Sequence, residues 1–221
     1  MRIALLALAV ASTLSAFAQE PQSGENQEAK YAEVVNQRAD KIVAALGLSD
    51  TSKAARVRDI ISQQYRSLRD NHDARDAHIK AAKEQAGGNN EVAESIVKAT
   101  QAEANEKLGK LHKEYLAKLS EELTPEQVEK VKDGMTYGVL TVTYHAYLRM
   151  LPELTEAQKK QIMAWLVEAR ENAMDAGSAK EKHAWFGKYK GRINNYLSAA
   201  GIDMKKAEKN LREDSTISTP N

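Results

Sequence analysis

Four side chains near the C-terminal end of the chain have types and spacings that suit stacking on a flat ligand: Trp185, Tyr189, Arg192 and Tyr196. A helix advances by about 100° per residue, so these four positions, called here the aromatic face, fall on one flank of a helix. Indole and phenol rings have flat apolar faces and polar edges, which pack well against sugar rings. The guanidinium, with the amide of Asn195 beside it, can bind hydroxyls or a carboxylate. The aromatic face therefore predicts a carbohydrate-binding surface.

Core packing is the competing interpretation of the aromatic face, because aromatic side chains at helical spacing most often lie in a protein interior. An adjoining apolar stripe of Phe186, Ile193 and Leu197 marks the side of the same helix that we expect to be buried. The two interpretations differ in one observable property. A binding face leaves its rings accessible to solvent, whereas a core face encloses them.

A second set of candidate residues interrupts the apolar stripe of a long predicted helix. The stripe runs from Ile61 to Leu68, and His72 then falls on its centre line with Arg75 at its edge. A polar pair in that place must either be satisfied by hydrogen bonds or face an opening. In the first case we expect Asp76, one turn after His72, to hold the imidazole. In the second case both side chains line a ligand pocket, and His72 is a candidate general base.

His145 is a third candidate, directly after Tyr144 and two residues before Tyr147. A histidine and a tyrosine beside an arginine can carry out β-elimination on a uronate sugar. The candidate catalytic residues, if the protein is an enzyme, are therefore His72, His145 and Tyr144.

No metal site and no cofactor are predicted. His72 and Asp76 share a helix face, but His78 points about 120° away from His72, and no HExxH spacing occurs. The sequence also lacks a glycine-rich phosphate loop and a GxSxG nucleophile motif.

The elements that must position these residues all favour helix. No proline or glycine interrupts residues 48–86, the sequence Gly-Gly-Asn-Asn at 87–90 breaks the pattern, and a second helical stretch covers 91–122. Two long helices joined by a short loop predict an antiparallel hairpin over about residues 49–122. Few large apolar residues lie near the glycines, so we expect that end of the hairpin to project or to pair thinly.

The C-terminal part, about residues 123–204, is predicted to be a bundle of shorter helices. The segments LTPEQ (123–127) and LTEAQ (154–158) indicate helix starts, in which a threonine caps the helix and a glutamine reaches back to it. The β-branched run at 139–143 has no second strand to pair with, so we predict a loop and then a short helix over about 142–150. The predicted fold class is all-α: a single-domain bundle of six or seven helices with one long antiparallel hairpin.

The ends of the chain are expected to lie outside the helical domain of residues 29–204. Residues 1–18 combine one cation, a short apolar run and an Ala-Phe-Ala cleavage pattern, which is typical of a secretory signal peptide. Residues 19–28 are polar and predicted to be disordered, and residues 205–221 indicate a charged, flexible tail. No other segment is apolar enough to span a membrane, so we predict a soluble protein exported to the periplasm.

The charge balance argues against one class of partner. Removing residues 1–18 takes Arg2 from the 32 basic residues and leaves 31 of them against 31 acidic ones. A nucleic-acid-binding protein needs a basic footprint that this balance does not supply, so no nucleic-acid partner is expected.

With its segments placed, most of the chain resembles a secreted bacterial family catalogued as domain of unknown function 3826. The resemblance rests on RADKIVAALG and RVRDIISQQYRSLRDNHDARD, on LTPEQVEKVKDGMTYGVL, and on the run from LTEAQKKQIMAW to NNYLSAAG. That family is seen in Gram-negative polysaccharide degraders and is described as sugar-binding, which implies a periplasmic setting and a carbohydrate ligand, with no catalytic residues to carry over. The two LTxxQ boxes also resemble those of small helical periplasmic stress chaperones.

The predicted function is periplasmic binding of an oligosaccharide or polysaccharide during polysaccharide utilisation, without chemistry of its own. Two alternatives remain open: a polysaccharide lyase or hydrolase that acts on acidic glycans, and an LTxxQ-type holdase chaperone with an exposed apolar patch of several hundred Å². The sequence specifies neither the sugar nor the oligomeric state. The candidate ligand-binding residues are Trp185, Tyr189, Arg192, Tyr196, Asn195, His72 and Arg75.

Overall fold

The computed structural model describes residues 22–87 and 89–217, and this part of the chain is all-α. No strand occurs among the described residues, so the predicted fold class is confirmed, with at least one helix more than expected. The helices are α1 (Gln22–Ala44), α2 (Thr51–Gln85), α3 (Asn90–Glu122), α4 (Pro125–Met135), α5 (Val139–Met150), α6 (Glu156–Met174), α7 (Ala179–Ala199) and α8 (Met204–Ile217). None of these helices is both long and apolar enough to cross a membrane.

The chain divides into two compact units, residues 1–34 and 35–221. The described part of the first unit is the polar beginning of α1, in which residues 26–30 are exposed. The helix starts at Gln22, inside the segment predicted to be disordered, because Glu, Gln, Ala and Lys favour helix even without an apolar face. The predicted signal peptide lies outside the described residues. All candidate site residues belong to the second unit.

The part of α1 in the second unit buries one face through Val35, Ala39 and Ile42. Ile42 packs on the backbone of Gly134 in α4, where an added Cβ would lie 2.8 Å from Ile42 Cγ1. The absence of a side chain at Gly134 therefore permits this close contact between the two helices.

The long antiparallel hairpin consists of α2 and α3, which pack against each other. Asp50 and Asn89 cap the two helices through side-chain oxygens that accept backbone N–H groups. Toward the connecting turn the buried residues are the small Ala82 and Ala104, while Val92 remains 47% exposed. Pairing at this end thus depends on small side chains, in agreement with the few large apolar residues of the sequence.

Both LTxxQ segments form reciprocal capping boxes. The hydroxyl oxygens of Thr124 and Thr155 accept from the N–H groups of Gln127 and Gln158. The glutamine Oε1 atoms accept in turn from the threonine N–H groups, at 3.1 and 2.9 Å. Helix capping therefore accounts for the repeated sequence at the starts of α4 and α6.

The β-branched run at 139–143 is helical from its first residue and not, as predicted, a loop. Tyr137 and Gly138 both have positive φ angles, 61° and 65°, and the Gly138 N–H donates to Asp133 O over 2.8 Å. This turn closes α4 and leads directly into α5. Helix is also the conformation in which the run can satisfy its own backbone groups without a partner strand.

The segment predicted to be a flexible tail contains α8. Asp203 Oδ1 accepts from the Lys206 N–H over 3.0 Å and so caps the helix. Met204 and Ala207, three residues apart, are buried. The capped start and the two buried side chains explain why the chain continues as helix beyond residue 204.

A hydrophobic core joins α5, α6 and α7. The side chains of Phe186, Ile193 and Leu197 are almost fully buried in it, which confirms the apolar stripe predicted for α7. With this stripe in the core, the rings of the aromatic face lie at its border and are only partly buried.

Candidate functional site

A cavity of about 470 Å³ brings together residues that the sequence singled out separately on α2 and α7. Its walls come from α2, α3, the C-terminal end of α6 and the start of α7. We call it the Asp175 cavity. The lining residues used below are His72, Arg75, Asn105, Asp175, Glu181 and Trp185.

The C-terminal end of α6 forms one wall of the Asp175 cavity, and side chains cap its carbonyl groups. Lys182 Nζ donates to the carbonyl oxygens of Ala173 (2.9 Å) and Met174 (3.0 Å). His72 Nε2 lies 2.7 Å from the carbonyl oxygen of Asp175. A carbonyl only accepts, so this nitrogen carries the proton. These contacts supply donors to the Met174 and Asp175 carbonyls at the helix end and a further donor to that of Ala173, which also accepts from the Ala176 N–H over 3.3 Å.

His72 is therefore held by Asp175 and not, as predicted, by Asp76. The imidazole points inward and is 9% exposed, whereas Asp76 stays near the surface and pairs with Arg75, with Nη2 and Oδ1 2.7 Å apart. Of the two ring nitrogens of His72, only Nε2 has the hydrogen bond to a neighbouring element that the first of the two predicted cases requires. The other ring nitrogen, Nδ1, is buried and has no hydrogen-bond partner.

The absence of a side chain at Gly177 gives the imidazole its place. A Cβ added at Gly177 would lie 3.0 Å from Cδ2 and Cγ of His72 and 3.2 Å from Glu181 Oε2. The loop between α6 and α7 thus packs directly on the imidazole, which limits where the ring can move.

Asp175 also pairs with α3 through its side chain. Its Oδ2 lies 2.9 Å from His112 Nδ1, and His112 Nε2 lies 3.4 Å from Glu171 Oε2. Pairing with Asp175, and then with Glu171, raises the pKa of His112 to about 9, so the imidazolium form is present at neutral pH. Burial by itself raises the pKa of Glu171, but the pairing with His112 and Lys132 outweighs it and lowers that pKa to about 2. An ion-paired histidine therefore joins α3 to the end of α6 beside the cavity.

Replacing His112 by glutamine is expected to lower the free energy of unfolding by about 2 kcal/mol near pH 6 and by much less above pH 9. Folding raises the pKa of His112 from 6.5 to about 9. The stabilisation is therefore complete below pH 6.5 and is lost as the pH rises to about 9. Urea unfolding at both pH values measures the effect, with His78→Gln as an exposed control. A difference between wild type and His112→Gln that stays constant with pH contradicts the assignment.

Arg170 extends the ion network to α4. Its Nη1 lies 2.8 Å from Asp133 Oδ1, and its Nη2 contacts Glu129 Oε2 and lies 3.3 Å from Glu171 Oε1. Lys132 Nζ joins the same Glu171 oxygen at 3.2 Å. The Arg170 side chain is only 4% exposed, so a buried guanidinium attaches α4 to α6.

Trp185 and Arg75 supply the aromatic ring and the cation that line the Asp175 cavity. Arg75 is 16% exposed and engaged with Asp76. The Nζ atom of Lys188 lies 4.9 Å from the centre of the Trp185 ring. Because Lys188 is exposed, this cation–π contact is a weak one, worth about 0.5–1 kcal/mol.

The other members of the aromatic face do not line the Asp175 cavity. Arg192 Cζ lies 4.5 Å from the centre of the Trp165 ring, and Arg192 Nη1 lies 3.3 Å from Glu168 Oε2. Tyr196 meets Trp165 edge-on, with ring centres 5.3 Å apart. Tyr189 is half-buried near Glu168, which contributes to raising its pKa after burial itself. The aromatic face is thus accessible at the surface, but the guanidinium of Arg192 already contacts Trp165 and Glu168 of α6.

Three predicted residues lie apart from the cavity lining. Asn195 is exposed on α7, and His145 is exposed on α5 with its ring centre 6.3 Å from that of Tyr144. Neither His145 nor Tyr144 lines the Asp175 cavity, so the structure does not join this pair to the other candidates. Within residues 22–87 and 89–217, no group of three or more His, Cys, Asp or Glu side chains is placed to hold a metal ion.

Sequence reasoning did not predict Asp175, Glu181 or Trp165 as site residues. No periodic pattern marks Asp175, because it lies at the end of α6 and not on a helix face. A signal for Trp165 does exist. It is an aromatic residue on the helix that pairs with α7, and pairing the two helices would have placed it beside the aromatic face.

A second cavity, of about 530 Å³, lies between α2 and α3. It is larger than the Asp175 cavity, but charged side chains of both signs, such as Asp70, Glu103 and Lys107, line it, and its lining contains no Trp, Tyr or Phe. A flat ligand stacks on a large aromatic ring, and of these two cavities the Asp175 cavity offers one, through Trp185. The Asp175 cavity has the better chemistry for a ligand.

The comparisons with known proteins identify a family without assigning a function. A family model described as a protein of unknown function, DUF3826, matches residues 32–215. No curated protein matches the chain. The match supports the family resemblance seen in the sequence and gives no support to sugar binding or to a relationship with the LTxxQ chaperones.

Proposed function

The chain belongs to the DUF3826 family of proteins of unknown function, and we propose that it is an exported, periplasmic protein that binds a carbohydrate in the Asp175 cavity. The observation that carries the proposal is the place of Trp185, whose ring borders a cavity that is otherwise lined largely by polar side chains. Sugar rings have apolar faces and hydroxyl edges, and both find complementary groups there.

The size and the chemistry of the cavity support a sugar ligand. A volume of about 470 Å³ falls within the range of about 300–1,000 Å³ that is usual for small-molecule sites. Amide side chains such as Asn105, and carboxylates such as Glu181, can bind hydroxyl groups around the rim of a stacked ring.

The two alternative functions receive less support. A lyase or hydrolase needs an accessible base, but His72 is held through Nε2 and shielded at Nδ1, and His145 lies outside the cavity. A holdase chaperone needs a broad apolar surface. The large apolar side chains that are exposed in the described second unit come from different elements: Val92 and Ile96, Tyr137, Val142, and Val167.

Replacing Trp185 by alanine is expected to weaken oligosaccharide binding at least tenfold, about 1.4 kcal/mol, because the stacking surface is lost. The measurement is calorimetry of the mature protein against a panel of oligosaccharides. Circular dichroism should show the same helix content and melting temperature as wild type within a few degrees, since Trp185 is only partly buried. Unchanged affinity in the variant rules out stacking on this ring.

Tyr189→Ala is the matched control. Tyr189 lies one turn further along α7, belongs to the same aromatic face and does not line the cavity. The proposal expects near wild-type affinity in this variant. If Tyr189→Ala and Arg192→Ala lose binding while Trp185→Ala retains it, the sugar binds to the outer part of the aromatic face and the cavity assignment is wrong.

A further inference from the structure

We infer that the carbohydrate is an extended chain, which enters the Asp175 cavity at one point and binds a second place on the surface between α6 and α7. We call this second place the Trp165 subsite, and its residues are Trp165, Glu168, Arg192 and Tyr196. The inference rests on the proposed function and adds to it a second site and a ligand class, a polysaccharide segment in place of a mono- or disaccharide.

A strip of α6 and α7 leads from the Asp175 cavity to the Trp165 subsite. On α6, Asn172 lines the cavity, and Glu168 and Trp165 follow on the same flank, four and seven residues earlier. On α7, Trp185 lines the cavity, and Arg192, seven residues later, pairs with Glu168. At a rise of 1.5 Å per residue, seven residues cover about 10 Å on either helix. A chain of a few sugar rings that leaves the cavity along this strip therefore reaches the subsite.

The Trp165 subsite repeats the combination of groups found at the cavity, an indole with a cation over its ring. The chain has two tryptophans, and both are only partly buried. Lys188 Nζ lies 4.9 Å from the centre of the Trp185 ring, and Arg192 Cζ lies 4.5 Å from that of Trp165. The two cations are four residues apart on α7 and so share one flank. A pair that recurs after one helical turn favours a ligand that is itself built of repeating units.

The polar groups of the Trp165 subsite are accessible to a ligand. The side chains of Arg192 and Glu168 are 54% and 51% exposed. A guanidinium has five N–H donors, and among the described residues the structure shows one hydrogen bond for them, from Arg192 Nη1 to Glu168 Oε2 over 3.3 Å. A sugar hydroxyl can therefore accept from the guanidinium and donate to the carboxylate while Arg192 stays over the indole.

Neighbouring side chains hold the subsite in place before a ligand arrives. Tyr196 meets Trp165 edge-on, with ring centres 5.3 Å apart, and both rings pack at the border of the core. Arg192 is held between the indole and Glu168. Binding to groups that are already ordered costs less conformational entropy, so a weak contact here still contributes to affinity.

The first test is the dependence of affinity on chain length. The ligands are size-fractionated partial hydrolysates of the polysaccharides represented in the panel, and the measurement is calorimetry with the full mature protein. A ligand that makes two linked contacts binds more tightly than a ligand that makes either one alone. The affinity is therefore expected to rise about tenfold or more from the shortest fragment that binds to fragments that reach the subsite.

Arg192→Met should remove this rise and leave the affinity for the shortest fragment within about twofold of wild type. Lys190→Met is the matched control, because Lys190 is an exposed cation two residues before Arg192 and lies on another flank of α7. This control should keep the rise. A rise that persists unchanged in Arg192→Met overturns the inference.

Tryptophan fluorescence reports on the two places separately, because one tryptophan lies at each. In Trp185→Phe the emission comes from Trp165, and we expect it to change with long fragments and not with the shortest one. In Trp165→Phe it comes from Trp185, and we expect it to change with both. Phenylalanine keeps an aromatic ring at each position, and circular dichroism checks the helix content. Emission of Trp165 that stays constant when long fragments saturate Trp185→Phe contradicts the inference.

Two outcomes separate this inference from the proposed function. If the emission of Trp185 responds and the affinity does not depend on chain length, the cavity binds a short sugar and only the inference is wrong. If fragments of no length bind or change either emission, both the proposed function and the inference are rejected.

Discussion

Replacing Arg170 by methionine is expected to lower the free energy of unfolding by about 3 kcal/mol. Methionine fills much of the same volume, so the effect isolates the loss of the guanidinium. Without it, Glu129, Asp133 and Glu171, whose side chains are 50%, 32% and 28% exposed, lose the buried cation that all three contact between α4 and α6. The three carboxylates then repel one another at close range, with Lys132 still paired with Glu129 and Glu171 but no cation beside Asp133 in the network. Urea unfolding at pH 7 measures the change.

Arg192→Met is the matched control for this prediction. Arg192 also forms an ion pair with a glutamate of α6, but both side chains are about half exposed, 54% and 51%. An exposed pair contributes little, so the expected loss is below about 1 kcal/mol. Equal losses in the two variants would show that burial of Arg170 does not determine the energy of the network. A loss below about 1 kcal/mol in Arg170→Met leads to the same conclusion.

The local parts of the fold could be predicted from the sequence because the signals that determine them are local. The LTxxQ boxes fix the starts of α4 and α6 through contacts between residues three apart. The sequence Gly-Gly-Asn-Asn at 87–90 likewise marks the boundary between α2 and α3 through the local preferences of its residues. The helical conformation of residues 139–143 was not predicted, because β-branched residues favour strand locally. The start of α8 was not predicted, because it depends in part on burial of Met204 in a core that is distant in the sequence.

The candidate site was only partly predictable. The position of His72 on an apolar stripe correctly indicated a buried polar side chain, and Trp185 was singled out by its chemistry. Their meeting at one cavity was not visible in the spacing, because the partners are far apart in the chain. His72 and the carbonyl of Asp175 are separated by 103 residues. No pattern in a single sequence connects a helix end to such a distant side chain.

The aromatic face was also only partly predictable from the sequence. Its rings are accessible, as a binding face requires, but Arg192 stacks on Trp165 and pairs with Glu168. A helical spacing shows which residues share a flank, and it does not show which neighbouring helix supplies their partners. The structure therefore assigns Trp185 to the cavity and leaves Tyr196 beside α6.

Lys182→Met is expected to change the pH dependence of stability in the alkaline range. Burial lowers the pKa of Lys182 from 10.5 to about 8, even though its Nζ donates to two carbonyls of α6. Between these pH values the unfolded chain holds a proton that the folded chain has released, so stability rises with pH. The free energy of unfolding of wild type minus that of the variant should increase by about 3 kcal/mol between pH 8 and pH 10.5.

The histidine at the same helix end opposes this trend in the wild type. The contribution of His112 falls between pH 6.5 and about 9, whereas that of Lys182 rises from about pH 8 upward. In the wild type these two opposing contributions to the free energy of unfolding partly cancel near pH 8 to 9. Subtracting the free energy of unfolding of Lys182→Met from that of the wild type removes the His112 contribution and leaves that of Lys182. Lys180→Met, at an exposed lysine two residues before Lys182, should show no such increase. A flat difference for Lys182→Met would mean that Lys182 keeps its proton in the interior, with the α6 carbonyls and the nearby Asp175 outweighing its desolvation.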